Sequence, residues 1–310
     1  MATTNTDSKS GLIYGSAAYL CWGFFPLYWP LLDPASPLEV LAHRIVWTLV
    51  FCVGLLTITR KWSAYRSILG QRRLMVPLAM ASVVITVNWG AFIWGVTNGH
   101  VIETSLGYFI NPLMTVLLGV FLLGENLRRL QWVAVGLGTL AVVVLTVDYG
   151  RPPWVALVLA TSFATYGFLK KRANLGTIEA LSVETTILTP FAIAYLVFLG
   201  MAGTLAFGNE GALNTVLLMG TGVVTGIPLL MFGAAATRLT LTTIGILQYL
   251  GPILQFIFGL TIFGEEMGTA RWIGFVIVWS ALVIFTYDAM STRRRAKRTA
   301  DECAAESTAI

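Results

Sequence analysis

Apolar residues run along this chain in blocks of about 20, separated by short polar breaks, from Gly11 almost to the C-terminus. A block of that length crosses a hydrocarbon layer of ~30 Å as an α-helix, the form in which every backbone N–H and C=O is satisfied within the segment. The breaks predict ten such helices, at 11–32, 37–59, 74–96, 104–124, 130–148, 152–169, 177–201, 212–236, 242–263 and 271–289. Between the fifth and sixth, Gly150-Arg151-Pro152-Pro153 reads as a tight turn and not as the middle of one long helix. Residues 1–10 are polar with Lys9 as their only basic residue, and the first apolar block is longer than a secretory signal core, so no cleaved signal peptide is expected. The expected fold class is an all-α integral membrane protein with ten transmembrane helices and two polar tails, 1–10 and 290–310.

Composition sharpens that picture by exclusion. Of 310 residues, 56% are hydrophobic and 11% charged, with a mean hydropathy of +0.78. A soluble domain needs roughly 25% charged residues to face water, so a soluble enzyme is excluded. A disordered chain is excluded by the apolar content, and a disulfide scaffold by a count of three cysteines. Cys21 and Cys52 fall in apolar segments and Cys303 in the tail, without a CxxC pair, so free thiols and no metal are expected. The loops are too short to hold a soluble domain, so whatever the chain does, it does inside the bilayer.

Charge then orients the segments. With the N-terminus in the cytoplasm, 17 of the 20 Lys and Arg residues fall in the cytoplasmic set of tails and loops. Arg151 and Arg271 alone fall outside, and Arg44 lies within a span. So strong a positive-inside bias in short loops predicts cytoplasmic N- and C-termini in a plasma membrane. It also accounts for the basic stretch Arg293 to Arg298 and the pI near 9.2 as a topology anchor beside anionic headgroups, with no nucleic acid as partner.

The chain matches itself at a shift of 140 residues: 103–148 falls on 243–288 without a gap. Pro112 meets Pro252, Gly124-Glu125 meets Gly264-Glu265, Trp132 meets Trp272 and Asp148 meets Asp288. Earlier segments match more weakly, Trp22-Gly23-Phe24 on Tyr166-Gly167-Phe168 at a shift of 144. Ten spans thus read as two repeats of five, 11–148 and 152–289. Five is odd, so the second repeat enters from the opposite side, an inverted topology suited to alternating access.

Polar groups in the hydrocarbon are expensive, about 2.5–3.5 kcal/mol for a central charge, and therefore informative. Arg44, with His43 beside it, lies inside the second span, and Glu184 inside the seventh at the position that the repeat superposes on Arg44. A functional role would have Arg44 bind a substrate carboxylate or pair with an acid, and Glu184 bind a cation or a proton; a structural role would have either one paired or reaching an interface. His43, isolated, reads first as structural. Asn88-Trp89 is mid-span, and Asn111-Pro112 and Gly251-Pro252 predict bends at matching places in the two halves, the usual pointer to a midplane site. Tyr108, Gln248, Tyr249 and Gln255 flank those prolines. Trp22, Tyr28, Trp29, Trp89 and Trp94 offer aromatic surface that suits an apolar ligand and suits packing or interface belts equally well. The two Gly-Glu corners read first as helix-terminus turns.

No HExxH, Walker loop or GxSxG occurs, so no enzyme and no cofactor is expected, and an ATP-driven pump would need a nucleotide-binding domain that the loops cannot house. The ten spans, inverted halves and Gly-Glu corners resemble the EamA-type transporters of the drug/metabolite transporter superfamily. Glu39 to Trp47 (EVLAHRIVW), Asn88-Trp89, Ser105 to Leu113 (SLGYFINPL), Ala234 to Leu239 and Gln248 to Pro252 resemble its RarD branch, and the likeness runs from about Gly11 to the basic tail. The resemblance implies a bacterial inner-membrane permease with a cavity between its halves. Members of that branch are often labelled chloramphenicol-sensitive proteins, and the superfamily includes exporters of amino acids and other small metabolites. The expected function is therefore a secondary transporter of small organic metabolites or drugs, working outward, with Arg44 favouring anionic or zwitterionic ligands and Glu184 as candidate for proton coupling. Two other classes stay open at this point: a channel-like pore, whose flux would not saturate, and a membrane-embedded regulatory or assembly partner, which would show no flux.

Overall fold

A computed structural model describes residues 5–124, 126–173 and 175–308. Among them the chain is helical without strands. Helices α1 (Asn5–Tyr28), α2 (Pro37–Ile58), α3 (Trp62–Leu69), α4 (Arg72–Thr97), α5 (Val101–Leu123) and α6 (Arg129–Tyr149) make the first half. The second consists of α7 (Trp154–Ala173), α8 (Thr177–Ala202), α9 (Gly211–Ala236), α10 (Leu241–Leu247), α11 (Leu250–Thr261) and α12 (Thr269–Thr308).

Eight stretches are long and apolar enough to cross a membrane, namely α2, α4, α5, α6, α8, α9, the α10–α11 stretch from Thr243 to Thr261, and α12 up to Thr292. Their outward faces carry large apolar side chains such as Ile58, Val76, Phe121, Val147, Phe191 and Met201, the surface of a multi-pass membrane protein. The other two expected spans, α1 and α7, are 24 and 20 residues long but less apolar, with Tyr, Trp, Gly and Ser in α1 and Lys170, Lys171 and Arg172 in the last turn of α7. Both are packed among the rest, α1 against α9 and α11, α7 against α4 and α5. A helix sheathed by protein needs a narrower lipid-facing band than one on the rim.

Three features depart from the sequence expectation. The short α3 occupies the loop after the second span. The ninth span is broken at Gln248–Tyr249 into α10 and α11, where Pro252, lacking an N–H, crowds the carbonyl four residues back. Its repeat partner Pro112 sits within the unbroken α5. The last helix runs through the expected tail to Thr308, a stretch rich in Arg, Lys, Ala and Glu, all strong helix formers.

The packing has a regular plan. Helix α2 lies on α8 and α9, α4 on α7 and α8, α5 on α7 and α11, α1 on α9 and α11, and α6 on α12. Exchanging α1 with α7, α2 with α8, α4 with α9, α5 with α11 and α6 with α12 leaves that set of neighbours unchanged. Helices α6 and α12 run antiparallel: Arg128 at the start of α6 bonds Asp288 midway along α12, and Arg271 at the start of α12 bonds Asp148 late in α6 (both Nε to Oδ2, 2.8 Å). Glycines set the closest approaches. A Cβ on Gly107 would strike the Ala156 carbonyl of α7, and one on Gly222 the Trp47 carbonyl of α2. Gly259 and Gly274 serve contacts within the chain in the same way, against Ile102 and Leu145.

Candidate functional site

Arg44 sits about two turns into α2, with 3% of its surface exposed. Its guanidinium lies 4.2 Å from the centroid of Trp89 on α4, 5.1 Å from Trp29 and 5.6 Å from Phe25. Its Nε donates to Thr225 Oγ1 of α9 at 2.9 Å. No carboxylate of the described residues forms an ion pair with it. Aromatic faces replace part of the lost hydration, about 2 kcal/mol per well-desolvated cation–π contact. They do not neutralise the charge, and an unpaired charge in a low-dielectric interior attracts an anion.

Beside this group Asn88 ties α4 to α7, donating to the Leu159 carbonyl at 3.1 Å and to Ser162 Oγ at 3.0 Å. Tyr108 of α5 donates to Asn88 Oδ1 at 3.4 Å. The Tyr108 ring meets Phe163 edge-on, centroids 6.0 Å apart, and Phe163 meets Tyr166 at 6.4 Å. Tyr166 donates to Glu184 Oε2 and Lys170 to Glu184 Oε1, both at 2.9 Å. Glu184 is 1% exposed, whereas Lys170 retains 23% of its side-chain surface. A continuous seam of polar and aromatic side chains therefore runs from Arg44 to Lys170, between elements of both halves.

Five of the residues singled out from sequence, Trp29, Arg44, Asn88, Trp89 and Tyr108, are gathered here, and Glu184 closes the far end of the seam. Asn111 lies about one turn further along α5, with its buried Oδ1 unpartnered. His43 points elsewhere. It stacks on Phe207 at 4.6 Å, 3.8 Å from Glu39, with neither ring nitrogen hydrogen-bonded. Tyr249 reaches Thr286 of α12 at 3.4 Å, outside the Arg44 group, and Gln248 caps α10 at the helix break. The Pro252 carbonyl accepts from Ser105 Oγ at 2.8 Å, so the second proline ties α11 to α5. Thr225, Ser162, Tyr166 and Lys170 are additions. Thr221 and Thr225, one turn apart on α9, were a visible polar pair, but Lys170 reads in sequence as a loop charge.

An apolar cleft of about 450 Å³ between α1 and α9 is lined by Phe24, Phe25, Tyr28, Val224 and Pro228 among others. It shares the Phe25 ring with the Arg44 group. A smaller one of about 150 Å³ lies between α2 and α8, lined by Leu41, Ile45 and Tyr195. No group of three or more His, Cys, Asp or Glu side chains among the described residues could hold a metal.

At the end of the bundle away from the basic loops, three carboxylates, of Glu39, Glu103 and the half-buried Glu265, bind main-chain N–H groups of other elements. Glu39 Oε1 accepts from Ala206 and Phe207 at 2.9 and 3.1 Å. Glu103 accepts from Val155 at 2.9 Å and from Arg151 Nη2 at 2.9 Å. Glu265 accepts from Val101 and Ile102 at the start of α5, the latter at 3.1 Å. The corner Gly264-Glu265 is thus a contact between halves; its repeat partner Glu125 lies outside the described residues.

Comparison with known proteins agrees with this architecture. The EamA-like transporter family matches residues 9–147. A protein named RarD from Streptomyces exfoliatus is 50% identical over 94% of this chain and 92% of its own. An uncharacterized transporter, YojE, from Bacillus subtilis is 40% identical over 94% of this chain and 99% of its own. A solved crystal structure matches with a TM-score of 0.60 over 92% of this chain and 99% of its own, at 16% identity, a likeness of fold alone.

Proposed function

The chain belongs to the RarD branch of the EamA-like transporter family, and on that premise we propose a ten-helix secondary transporter that moves small organic anions or zwitterions outward across the bacterial inner membrane by alternating access. Helices α1 and α7 are its two remaining spans, and 11–148 and 152–289 its inverted halves. The exchange-symmetric packing and the antiparallel α6–α12 pair support that arrangement. The basic end is cytoplasmic, as the bias of Lys and Arg requires.

The observation that carries the substrate class is Arg44, a buried guanidinium without a carboxylate, held between α2 of one half and α9 of the other. Such a charge is retained in a membrane where its partner arrives and leaves. Glu184, at the equivalent position of the second half, is the carboxylate we assign to proton coupling, with Lys170 and Tyr166 as the groups that donate hydrogen bonds to it.

The test is counterflow. Purified protein in liposomes loaded with a cell metabolite extract is offered labelled amino acids, small carboxylates and chloramphenicol in turn, against protein-free liposomes. Transient accumulation of a carboxylate-bearing label, abolished by saturating unlabelled compound, is the expected result. Flux without saturation or counter-exchange would replace the carrier with a pore. Accumulation of neutral compounds alone would remove Arg44 from substrate recognition.

A further inference from the structure

The 140-residue repeat pairs Glu39 with Glu179, and the two sit in the first turn of α2 and of α8. Because α2 and α8 begin at opposite ends of the bundle, these equivalent carboxylates stand at opposite ends too. Their bonding differs. Glu39 is 1% exposed and fastens the α8–α9 loop through two main-chain N–H groups. His43 stacked on Phe207 covers that contact. Glu179 takes its own main-chain N–H and reaches the α2–α3 turn of the first half through a side chain, Lys61 Nζ at 2.8 Å from Oε1, and that lysine keeps 43% of its side-chain surface. The other oxygen, Oε2, is buried without a hydrogen-bond partner.

We propose that Glu39 and Glu179 are the two staples of a double gate, Glu39 holding the end away from the basic loops shut in this structure by main-chain bonds while Glu179 holds the other end only through the Lys61 side chain of the α2–α3 turn. When the halves exchange shapes, Glu179 takes main-chain N–H groups at the α2–α3 turn of the first half and Glu39 lets go of the α8–α9 loop. The unpartnered Oε2 is the oxygen left to take those main-chain donors, since a buried carboxylate oxygen that never found donors would be a standing loss of stability. This inference rests on the reading of the chain as two inverted halves.

The experiment uses the full-length chain in detergent with Cys21, Cys52 and Cys303 replaced by Ser, and two single-cysteine reporters. Ala35→Cys reports on the end that Glu39 closes, and Ala173→Cys on the end near Glu179; both sites are buried. Glu39→Gln is expected to raise alkylation at Ala35→Cys at least about fivefold without raising it at Ala173→Cys. Adding Glu179→Gln to that variant removes the competing staple and is expected to return Ala35→Cys labelling toward the parent value. A rise at both reporters would mark Glu39 as a general packing residue, and either no rise or no compensation would overturn the gate. Labelling needs no substrate, so this result stands apart from counterflow, which tests the transport reading itself.

Discussion

A shift of 140 residues superposes Arg44 on Glu184, yet one charge is left unpaired and the other is answered. Arg44 meets rings and one hydroxyl; Glu184 meets a lysine and a phenol. Had both been structural, the economical solution for a bilayer would have been to pair them with each other or to replace both by apolar side chains, since a buried ion pair seldom adds net stability. Instead each half retains its own charge with its own surroundings. The unpaired guanidinium fits a group that waits for an anion, and the paired carboxylate fits one that exchanges a proton with neighbours already in place.

The strongest way to break this comparison is to remove Arg44. Arg44→Ala should lower the apparent affinity for carboxylate substrates in counterflow by about thirtyfold or more, the order of 2–5 kcal/mol expected when one partner of a buried charge pair is truncated. Neutral substrates should change little. Arg44→Lys should recover only a fraction, because an ammonium lacks the planar face that lies over Trp89. Equal loss for both substrate classes, with less protein in the membrane, would make Arg44 a folding residue. Glu184→Gln should act differently: exchange persists and the dependence on a pH gradient disappears. It leaves Lys170 without its partner, at a cost of about 1–3 kcal/mol, less than a fully buried pair because Lys170 reaches solvent. The double variant Glu184→Gln with Lys170→Met should regain thermal stability but not coupling. Coupling that survives Glu184→Gln would end its assignment.

Much of this was legible in the sequence because the bilayer imposes a coarse rule. A segment that must satisfy its backbone internally over ~30 Å writes itself as about 20 apolar residues, and eight of the ten predicted segments are stretches long and apolar enough to cross a membrane. The 140-residue self-match aligns Arg44 with Glu184 in the sequence itself. Partners were not legible, since they depend on how helices turn and slide against one another. Lys170 follows the predicted end of its span, but α7 continues to Ala173 and its side chain runs back along the helix to Glu184. Thr225 lies 181 residues from Arg44, and nothing in either local pattern announces the contact. The matched prolines were visible, but only Pro252 coincides with a broken helix; whether a proline bends or breaks a helix depends on the neighbours that receive the freed carbonyl.

A smaller effect tests the same asymmetry at the closed end. Glu265 lies between α11 and α12, and burial pushes its carboxyl up to about 7, against the pull of the Val101 and Ile102 N–H groups and of Arg271, with Glu103 adding a further push. Tyr149, Asp148 and Arg151 stand around the same corner, as does His100 near Glu103. Once the corner opens and Glu265 meets water, its carboxyl returns to the usual range near 4.5. The closed form therefore binds the proton more tightly than the open one. The stabilisation from that proton is present in full below pH about 4.5 and is lost as pH rises through about 7. Amide exchange at the start of α5 reads the opening, and its ratio between the parent and Glu265→Gln at each pH cancels the intrinsic pH dependence of exchange. The ratio should rise several-fold from pH 5 to pH 8, at most about tenfold per unit, and should keep that form in a His100→Gln background. A flat ratio would show that the corner stays shut whatever the charge on Glu265, and would leave Glu39 as the staple that holds this end.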